Sequence, residues 1–318
     1  MNIQLTRREA LMAGAAAALP VLGATALTSS ANPAEAQSPK VGVSTLGFNG
    51  HTNAELAKEL AANGIRTVQL FLSQKDSNYW VYNGRNDVSA LDAQRCKEIA
   101  GAYASEGITI HSIGVYTNLI HPDKGERKAN MDYFEAMFRI GEAMNVHTFI
   151  TEAGHFEPPD GGGVPHHFQE DVWTQMVDTG KELVKRAESY DAKVLFEPFY
   201  RGFLASAKRT RLFLEAVDSP RARALLDPAN LIEINDLEEM FAQLAPFIDC
   251  LHAKDRKLHV DRGVAAGQGD LDYVQFVALA AKYAPHAPFI LEYVGIADYK
   301  QALEVLYNAI SKYESTGV

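Results

Sequence analysis

Four side chains of the metal-binding type end four short apolar runs in the second half of the sequence. Each run is hydrophobic until its last residues, where one Glu, Asp or His appears. The four are Glu197, Asp227, His252 and Glu292. Burying three carboxylates together is costly unless a cation compensates their charge. Three oxygen ligands and one imidazole suit Mn²⁺, Mg²⁺ or Co²⁺, with zinc or iron as alternatives. The pattern therefore predicts one divalent-metal site.

The spacing of these residues matches a repeating strand–helix unit. Their separations are 30, 25 and 40 residues, each the length of one such unit. Eight β-rich runs alternate with helical segments: Val41–Leu46, Thr67–Leu72, Ile108–Ile113, Val146–Thr151, Lys193–Glu197, Arg223–Asp227, Ile248–His252 and Phe289–Glu292. Eight units in about 280 residues predict an α/β fold of the (β/α)₈ TIM-barrel type. Catalytic groups of such barrels lie at the carboxyl ends of the strands, which would bring the four side chains to one rim.

A doubly wound open sheet is the rival fold. It would require a glycine-rich dinucleotide turn after the first strand, and residues 46–50 (Leu-Gly-Phe-Asn-Gly) lack that pattern. Asn53 and Ser89 are expected to cap the first two helices, because Asn and Ser side chains accept hydrogen bonds from free helix N–H groups. The barrel remains the favoured prediction.

Composition limits the classes of function. The 318 residues are 47% apolar, enough for a sizeable core, and carry 30 basic and 40 acidic side chains, for a net charge of −10. An acidic chain is a poor general partner for nucleic acid, whose phosphates attract a basic surface. The two cysteines, Cys96 and Cys250, lie in separate apolar elements, so we expect no disulfide between them.

Residues 1–36 have the features of an export signal. Arg7 and Arg8 precede an apolar stretch that ends near Leu27, and residues 34–36 (Ala-Glu-Ala) fit a signal-peptidase site. The paired arginines resemble a twin-arginine signal, which predicts a bacterial periplasmic protein without stable membrane association after cleavage. An ordinary secretory signal and an uncleaved anchor are the alternatives. The barrel domain would then span residues 37–318.

Several motifs resemble the xylose-isomerase-like superfamily of sugar isomerases and epimerases, over essentially the whole barrel domain. They are Leu-Phe-Glu197-Pro, Leu-Leu-Asp227-Pro-Ala-Asn230-Leu, Leu-His252-Ala-Lys254-Asp255, Gly267-Gln-Gly269-Asp270-Leu-Asp272, Leu-Glu292-Tyr, and Tyr116-Thr-Asn118-Leu-Ile-His121-Pro-Asp123. The resemblance to ketose 3-epimerases of this superfamily implies that the Glu, Asp, His and Glu set binds one divalent ion. This chain has Asn230 where some of those epimerases have a histidine.

The resemblance also implies a mechanism. A metal ion bound by a sugar carbonyl and a neighbouring hydroxyl acidifies the adjacent C–H bond. Glu197 and Glu292, the predicted catalytic pair, would remove the proton and return it to the other face of an enediolate, which inverts the centre. Return to a different carbon gives isomerisation. If a β-substituent is expelled instead, the protein would be a lyase or dehydratase acting on keto-glycosides or inositol derivatives. This alternative stays open.

Four further residues are candidate substrate contacts. Lys254 lies two residues beyond His252 and shares its face of the strand, where it would bind a substrate hydroxyl or pair with a ligand carboxylate. Glu152 and His155 follow the fourth strand and are expected at the same rim, as substrate contacts or as ordinary loop residues. Trp80, in the long loop after the second strand, would stack on a sugar ring or simply pack within the loop.

The expected partner is a small carbohydrate, and a homo-oligomer is compatible with the sequence. An apurinic endonuclease shares this barrel but uses three metal ions and additional histidines, one of them at the position of Asn230. The acidic charge and the export signal also oppose that activity. A non-catalytic sugar-binding barrel is a further alternative, against which the intact set of four ligands argues.

Overall fold

The structure is a computed structural model that describes residues 39–156, 164–260 and 262–316. Eight parallel strands close a barrel in the order β1-β8-β7-β6-β5-β4-β3-β2. They are β1 Val41–Ser44, β2 Thr67–Leu70, β3 Thr109–Gly114, β4 Thr148–Thr151, β5 Lys193–Phe196, β6 Ala222–Leu226, β7 Ile248–Ala253 and β8 Phe289–Leu291. The predicted (β/α)₈ fold is therefore confirmed, and each strand begins within two residues of its predicted start. The predicted signal segment, residues 1–36, lies outside the described residues.

One helix of eight residues or more follows each strand and covers the outside of the barrel. These helices are α1 Asn53–Ala62, α2 Ala93–Ala104, α3 Lys124–Met144, α4 Glu170–Glu188, α5 Ala207–Val217, α6 Leu237–Leu244, α7 Tyr273–Tyr283 and α8 Tyr299–Thr316. The predicted caps of the first two helices are wrong. Thr52 caps α1 through a reciprocal pair of hydrogen bonds with Glu55, and Asp92 caps α2 by accepting from the N–H of Arg95.

Asn53 has a different role from the predicted one. It is the first residue of α1, and its side-chain amide donates to Asp76 at 2.8 Å and to Ser77 at 2.8 Å. Both acceptors belong to the loop after β2, where the short strands Ser73–Gln74 and Ser77–Asn78 form a hairpin. The amide therefore fixes that loop to the start of α1.

The apolar core has two layers. The larger one packs the outer faces of the strands against the helices. The smaller one contains Phe71, Tyr116, Ile150, Leu195, Leu225, Cys250 and Ile290. The last four lie two positions before the predicted ligands and so share their inward-facing side of the strands. Cys96 and Cys250 are both buried, and neither forms a disulfide in the structure. Within the described ranges, no helix has both the length and the apolar character needed to cross a membrane.

Candidate metal centre and its cavity

The alternation of side chains along the strands brings the four predicted ligands together. Leu195, Leu225, Cys250 and Ile290 point into the barrel, and the residue two positions beyond each of them is Glu197, Asp227, His252 or Glu292. Side chains two apart on a strand share a face, so the ligands form the next layer toward the carboxyl ends of the strands. One ligand atom from each of the four lies within 4.8 Å of all the others.

This cluster is buried and has its carboxylates directed at one imidazole nitrogen. The exposed fractions of the four residues do not exceed 6%, the value for Glu292. His252 Nδ1 lies 3.3 Å from Glu197 Oε1, 3.4 Å from Glu292 Oε2 and 3.8 Å from Asp227 Oδ2. Burial by itself lowers the pKa of His252, but the negative charges of Glu292 and Glu197 outweigh this and raise it to about 10. The cluster therefore favours positive charge at its centre.

The other nitrogen of the His252 ring indicates which form of the ring suits a metal ion. His252 Nε2 lies 2.7 Å from Gln69 Oε1, an oxygen that can only accept a hydrogen bond. A neutral ring that donates through Nε2 has its lone pair on Nδ1, and Nδ1 has no hydrogen-bond partner among the described residues. A bound histidine usually has its second nitrogen held in this way. Three carboxylates around a free imidazole lone pair fit a divalent cation.

Lys254 is part of the same charge cluster. Its ammonium lies 2.7 Å from Asp227 Oδ2 and donates to Glu292 Oε2 at 2.9 Å. Burial raises the pKa of Asp227, but the Lys254 charge outweighs this and lowers it, while the same carboxylates raise the pKa of Lys254 against its own burial. Lys254 was predicted either to bind a substrate hydroxyl or to pair with a carboxylate of the cluster. The structure shows the pairing with the carboxylates. Lys254 also lines the cavity described next.

A cavity of about 590 Å³ opens above the cluster, within the size range of sites for small molecules. Glu197 and Glu292 both line it, so the cluster is accessible to a ligand. Of the predicted substrate contacts, Trp80, Glu152 and Lys254 line the cavity. His155 is not one of the lining residues, but its Nε2 lies 3.1 Å from the hydroxyl of Tyr82, which is.

Aromatic rings form one wall of this cavity. Phe71, Trp80, Tyr82 and Tyr116 line it and contact one another, with ring centroids 5.5 Å apart for Phe71 and Trp80. The hydroxyl of Tyr82 donates to Glu152 at 2.9 Å. Burial and the neighbouring charge of Glu197 raise the pKa of Glu152 to about 8. The wall thus offers apolar ring faces together with a carboxyl group that readily holds a proton.

Comparison with known proteins assigns the family. A sequence model of the xylose isomerase-like TIM barrel matches residues 57–309. The chain belongs to the xylose isomerase-like TIM barrel family. No curated protein sequence matches it.

Several solved structures share the fold of this chain at low sequence identity. A D-tagatose 3-epimerase-like protein is 14% identical with a TM-score of 0.73, over 88% of this chain and 100% of its own. The probable 3-DHS dehydratase AsbF of Bacillus anthracis is 15% identical with a TM-score of 0.67, over 86% of this chain and 98% of its own. A Mycobacterium smegmatis family protein, solved with magnesium, is 16% identical with a TM-score of 0.62, over 86% and 99%.

Glu197 has two partners that the sequence did not identify. Tyr116 donates its hydroxyl to Glu197 Oε2 at 2.6 Å, and Asn230 donates its amide to Glu197 Oε1 at 2.9 Å. Asn230 is the position at which this member of the xylose isomerase-like family departs from some ketose 3-epimerases. Here the side chain contacts a cluster carboxylate directly. The motif Asp-Pro-Ala-Asn identified the residue but not its partner.

Asp255, in the motif that follows β7, stabilises a loop that lines the cavity. Asp255 accepts hydrogen bonds from the N–H groups of Arg256, Leu271 and Gly267, at 2.8, 3.0 and 3.1 Å. The short strands Asp255–Arg256 and Gly263–Val264 pair within this loop. A Cβ atom at Gly269 would overlap with the Asp255 carboxylate, so the motif requires glycine there. A turn at residues 266–267 precedes α7, and Asp272 caps this helix.

Proposed function

We propose that this chain is a divalent-metal-dependent isomerase or epimerase of a small carbohydrate. One observation carries the proposal: the buried cluster of three carboxylates around the free Nδ1 of His252 lies at the base of a cavity of about 590 Å³. Glu197, Asp227, His252 and Glu292 would hold the ion, with Mn²⁺, Mg²⁺ or Co²⁺ as the expected metals. When bound, such an ion polarises a carbonyl group and acidifies the neighbouring C–H bond.

Glu197 and Glu292 are the proposed catalytic residues. They follow β5 and β8, which are separated in the barrel by two strands, and both line the cavity. A substrate bound between them would therefore meet one carboxylate from each side. Tyr116 and Asn230 hold Glu197, and Lys254 holds Glu292, so each carboxylate has a fixed orientation for taking and returning a proton.

The aromatic wall and its polar neighbours would bind the sugar. Trp80 presents an indole whose N–H has no partner among the described residues, and its ring offers a face for the C–H groups of a sugar. Glu152 would accept hydrogen bonds from the hydroxyl groups of the sugar, and Lys254 would donate hydrogen bonds to them. His155 would act through Tyr82, whose hydroxyl it contacts.

Deuterium uptake from D₂O tests this function. Purified protein with added Mn²⁺ is incubated with a panel of free ketoses, and the exchanged carbon is identified by NMR. We expect metal-dependent incorporation that Glu197→Gln and Glu292→Gln each abolish without loss of the folded state. Glu188→Gln, a matched change at an exposed position at the end of α4, should leave incorporation intact. Absence of incorporation from every sugar in the panel would contradict the proposal.

A dehydratase or lyase of keto-glycosides or inositol derivatives is the second candidate. The observation that favours it is Glu152, a cavity carboxyl whose pKa is raised to about 8 by burial and by Glu197. Such a group is largely protonated at neutral pH and could protonate a departing oxygen. Loss of the β-substituent, followed by mass spectrometry and abolished by Glu152→Gln, would favour this reaction over epimerisation.

We also propose that residues 1–36 direct export to the periplasm and are then removed. The paired Arg7 and Arg8 and the small residues at 34–36 support this proposal. The mass of the mature protein in the periplasmic fraction tests it. Replacement of both arginines by lysine should retain the full-length chain in the cytoplasm, whereas unchanged export would exclude the twin-arginine route.

A further inference from the structure

Two arginines bring positive charge to a part of the cavity that the proposed chemistry does not use. Arg256 and Arg262 both line the cavity and belong to the loop between β7 and α7. Arg256 is 3% exposed, and Arg262 is exposed at the cavity opening. Neither has an ion pair with an acidic side chain within the described ranges. A buried guanidinium without a carboxylate partner is unusual, because burying a charge is costly unless it is paired.

Arg256 is held in place by neutral groups. Its Nε donates to the carbonyl of Ala229 at 2.7 Å, its Nη1 donates to the carbonyl of Val260 at 2.9 Å, and its guanidinium carbon lies 5.3 Å from the ring centroid of Tyr200. Nη2 has no hydrogen-bond acceptor among the described residues. These contacts fix the guanidinium without neutralising it, so the charge remains available to a ligand in the cavity.

The remaining charges of the cavity do not cancel the two arginines. Lys254 and a divalent ion at the cluster would together balance the carboxylates of Glu197, Asp227 and Glu292. Glu152 is the other acidic side chain of the cavity lining and offsets at most one arginine. The cavity with its ion bound therefore has an excess of positive charge, located on the loop between β7 and α7.

We propose that Arg256 and Arg262 bind an anionic group of the substrate and that this group is a carboxylate, so that the substrate is a sugar acid rather than a neutral sugar. The inference rests on the proposed function, because it takes the anion to be part of the carbohydrate bound over the metal cluster. Guanidinium groups match the planar geometry of a carboxylate and form strong charge-assisted hydrogen bonds with it.

A carboxylate fits this loop better than a phosphate. Phosphate sites commonly use several free main-chain N–H groups in addition to cationic side chains. In this loop the N–H groups of Gly267 and Leu271 donate to Asp255, and the N–H group of Asp270 donates to the carbonyl of Arg256. The loop thus offers side-chain charge and leaves few amides for a phosphate.

Equilibrium binding of three sugars that differ only at C6 tests the proposal. D-Fructose, D-fructuronate and D-fructose 6-phosphate carry a neutral, a carboxylate and a phosphate group at that carbon. Calorimetric titration into Mg²⁺-loaded protein should show binding of the uronate about tenfold or more tighter than that of fructose, as expected for a hydrogen-bonded charge. Added salt should reduce the ratio, because it screens the exposed Arg262.

Variants of the loop identify the residues responsible. Arg262→Gln should reduce the uronate-to-fructose ratio several-fold, and Arg256→Lys, which keeps the charge but loses the fork of N–H donors, should also reduce it. Lys257→Gln removes one positive charge from an exposed position of the same loop that does not line the cavity, and should leave the ratio unchanged. Circular dichroism verifies that each variant is folded.

Equal affinity for fructose and the uronate, or a ratio that Arg262→Gln leaves unaltered, would overturn the proposal. Tighter binding of the phosphate than of the uronate would overturn the assignment of a carboxylate. Equilibrium affinity is a separate quantity from deuterium exchange, because a sugar can bind whether or not its proton is exchanged. If deuterium is incorporated into neutral ketoses but the uronate binds no more tightly than fructose, only the proposal of a sugar acid is contradicted. If the uronate binds more tightly but no sugar incorporates deuterium, only the proposed isomerase or epimerase function is contradicted.

Discussion

Nε2 of His252 on β7 lies 2.7 Å from Oε1 of Gln69 on β2, although the two residues are 183 positions apart in the sequence. Both are completely buried. In the neutral ring that a metal ion requires, the amide oxygen selects the form in which Nδ1 faces the three carboxylates with a lone pair. Gln69 therefore acts on the proposed metal site without belonging to it.

Replacement of Gln69 tests this relationship. Gln69→Leu keeps approximately the same volume and removes the acceptor, so we expect a 10- to 100-fold weaker affinity for Mn²⁺, the usual effect of losing a group that orients a ligand. Gln69→Glu retains an acceptor at that place and should bind the ion more tightly than Gln69→Leu. Titration of the metal-free protein measures both. An unchanged affinity of Gln69→Leu would show that the hydrogen bond does not orient His252.

Tyr116 should contribute to turnover through Glu197. Tyr116→Phe removes the 2.6 Å hydrogen bond to a charged carboxylate, and such bonds contribute about 1.5–3 kcal/mol. We expect kcat to fall about tenfold or more while KM changes less, because the bond positions a reacting group. The ring still stacks on Phe71, so the fold should persist. Tyr307→Phe, at an exposed position of α8, is the control and should have wild-type kinetics.

Gly269 should be needed for the shape of the loop between β7 and α7. In Gly269→Ala the new methyl group would overlap with the Asp255 carboxylate and the carbonyl of Arg256, so we expect a loss of about 1–3 kcal/mol in the free energy of unfolding. Gly50→Ala is the control, since its Cβ would meet no atom within 4 Å. Urea unfolding of both variants measures the difference, and equal stabilities would contradict the steric account.

His111 on β3 should make the fold sensitive to acid. Burial and the charge of Lys193 together lower its pKa to about 4, against the opposing charge of Asp249. Its unfolded pKa is near 6.5, so the unfolded chain binds the proton first as the pH falls, and stability is lost between about pH 6.5 and 4. The loss from this residue is roughly 3 kcal/mol.

Urea unfolding of wild type and His111→Gln across that range measures the contribution of His111. The difference in unfolding free energy between the two proteins should shift in favour of the variant as the pH falls, and should level off below about pH 4. Parallel profiles of unfolding free energy against pH for the two proteins would contradict this account, because they would show that folding does not change the pKa of His111.

The sequence was sufficient for the barrel and for the four cluster residues because both follow from local patterns. The apolar runs that end at Glu197 and Glu292 indicated strand ends, and the length of the repeat put them at one rim. The caps were predicted wrongly at Asn53 and Ser89 because Thr52 and Asp92 are equally good capping types close to the same helix starts.

Contacts between elements that are far apart in the sequence could not be predicted from local patterns. Gln69 is one polar residue in an apolar strand, and its partner is visible only after the barrel closes. Arg256 and Arg262 look like ordinary loop cations until the loop held by Asp255 brings them to the cavity. Asn230 was identified by its motif, but its bond to Glu197 depends on how β5 and β6 pair.

The amount of divalent metal bound per chain tests the central claim most directly. Protein dialysed against a chelator, reloaded with Mn²⁺ and freed of excess ion should contain about one ion per chain by elemental analysis. His252→Ala, which removes the only nitrogen ligand of the cluster, should contain almost none under the same conditions. A wild-type protein that retains no ion, or a His252→Ala variant that retains as much as the wild type, would contradict the account.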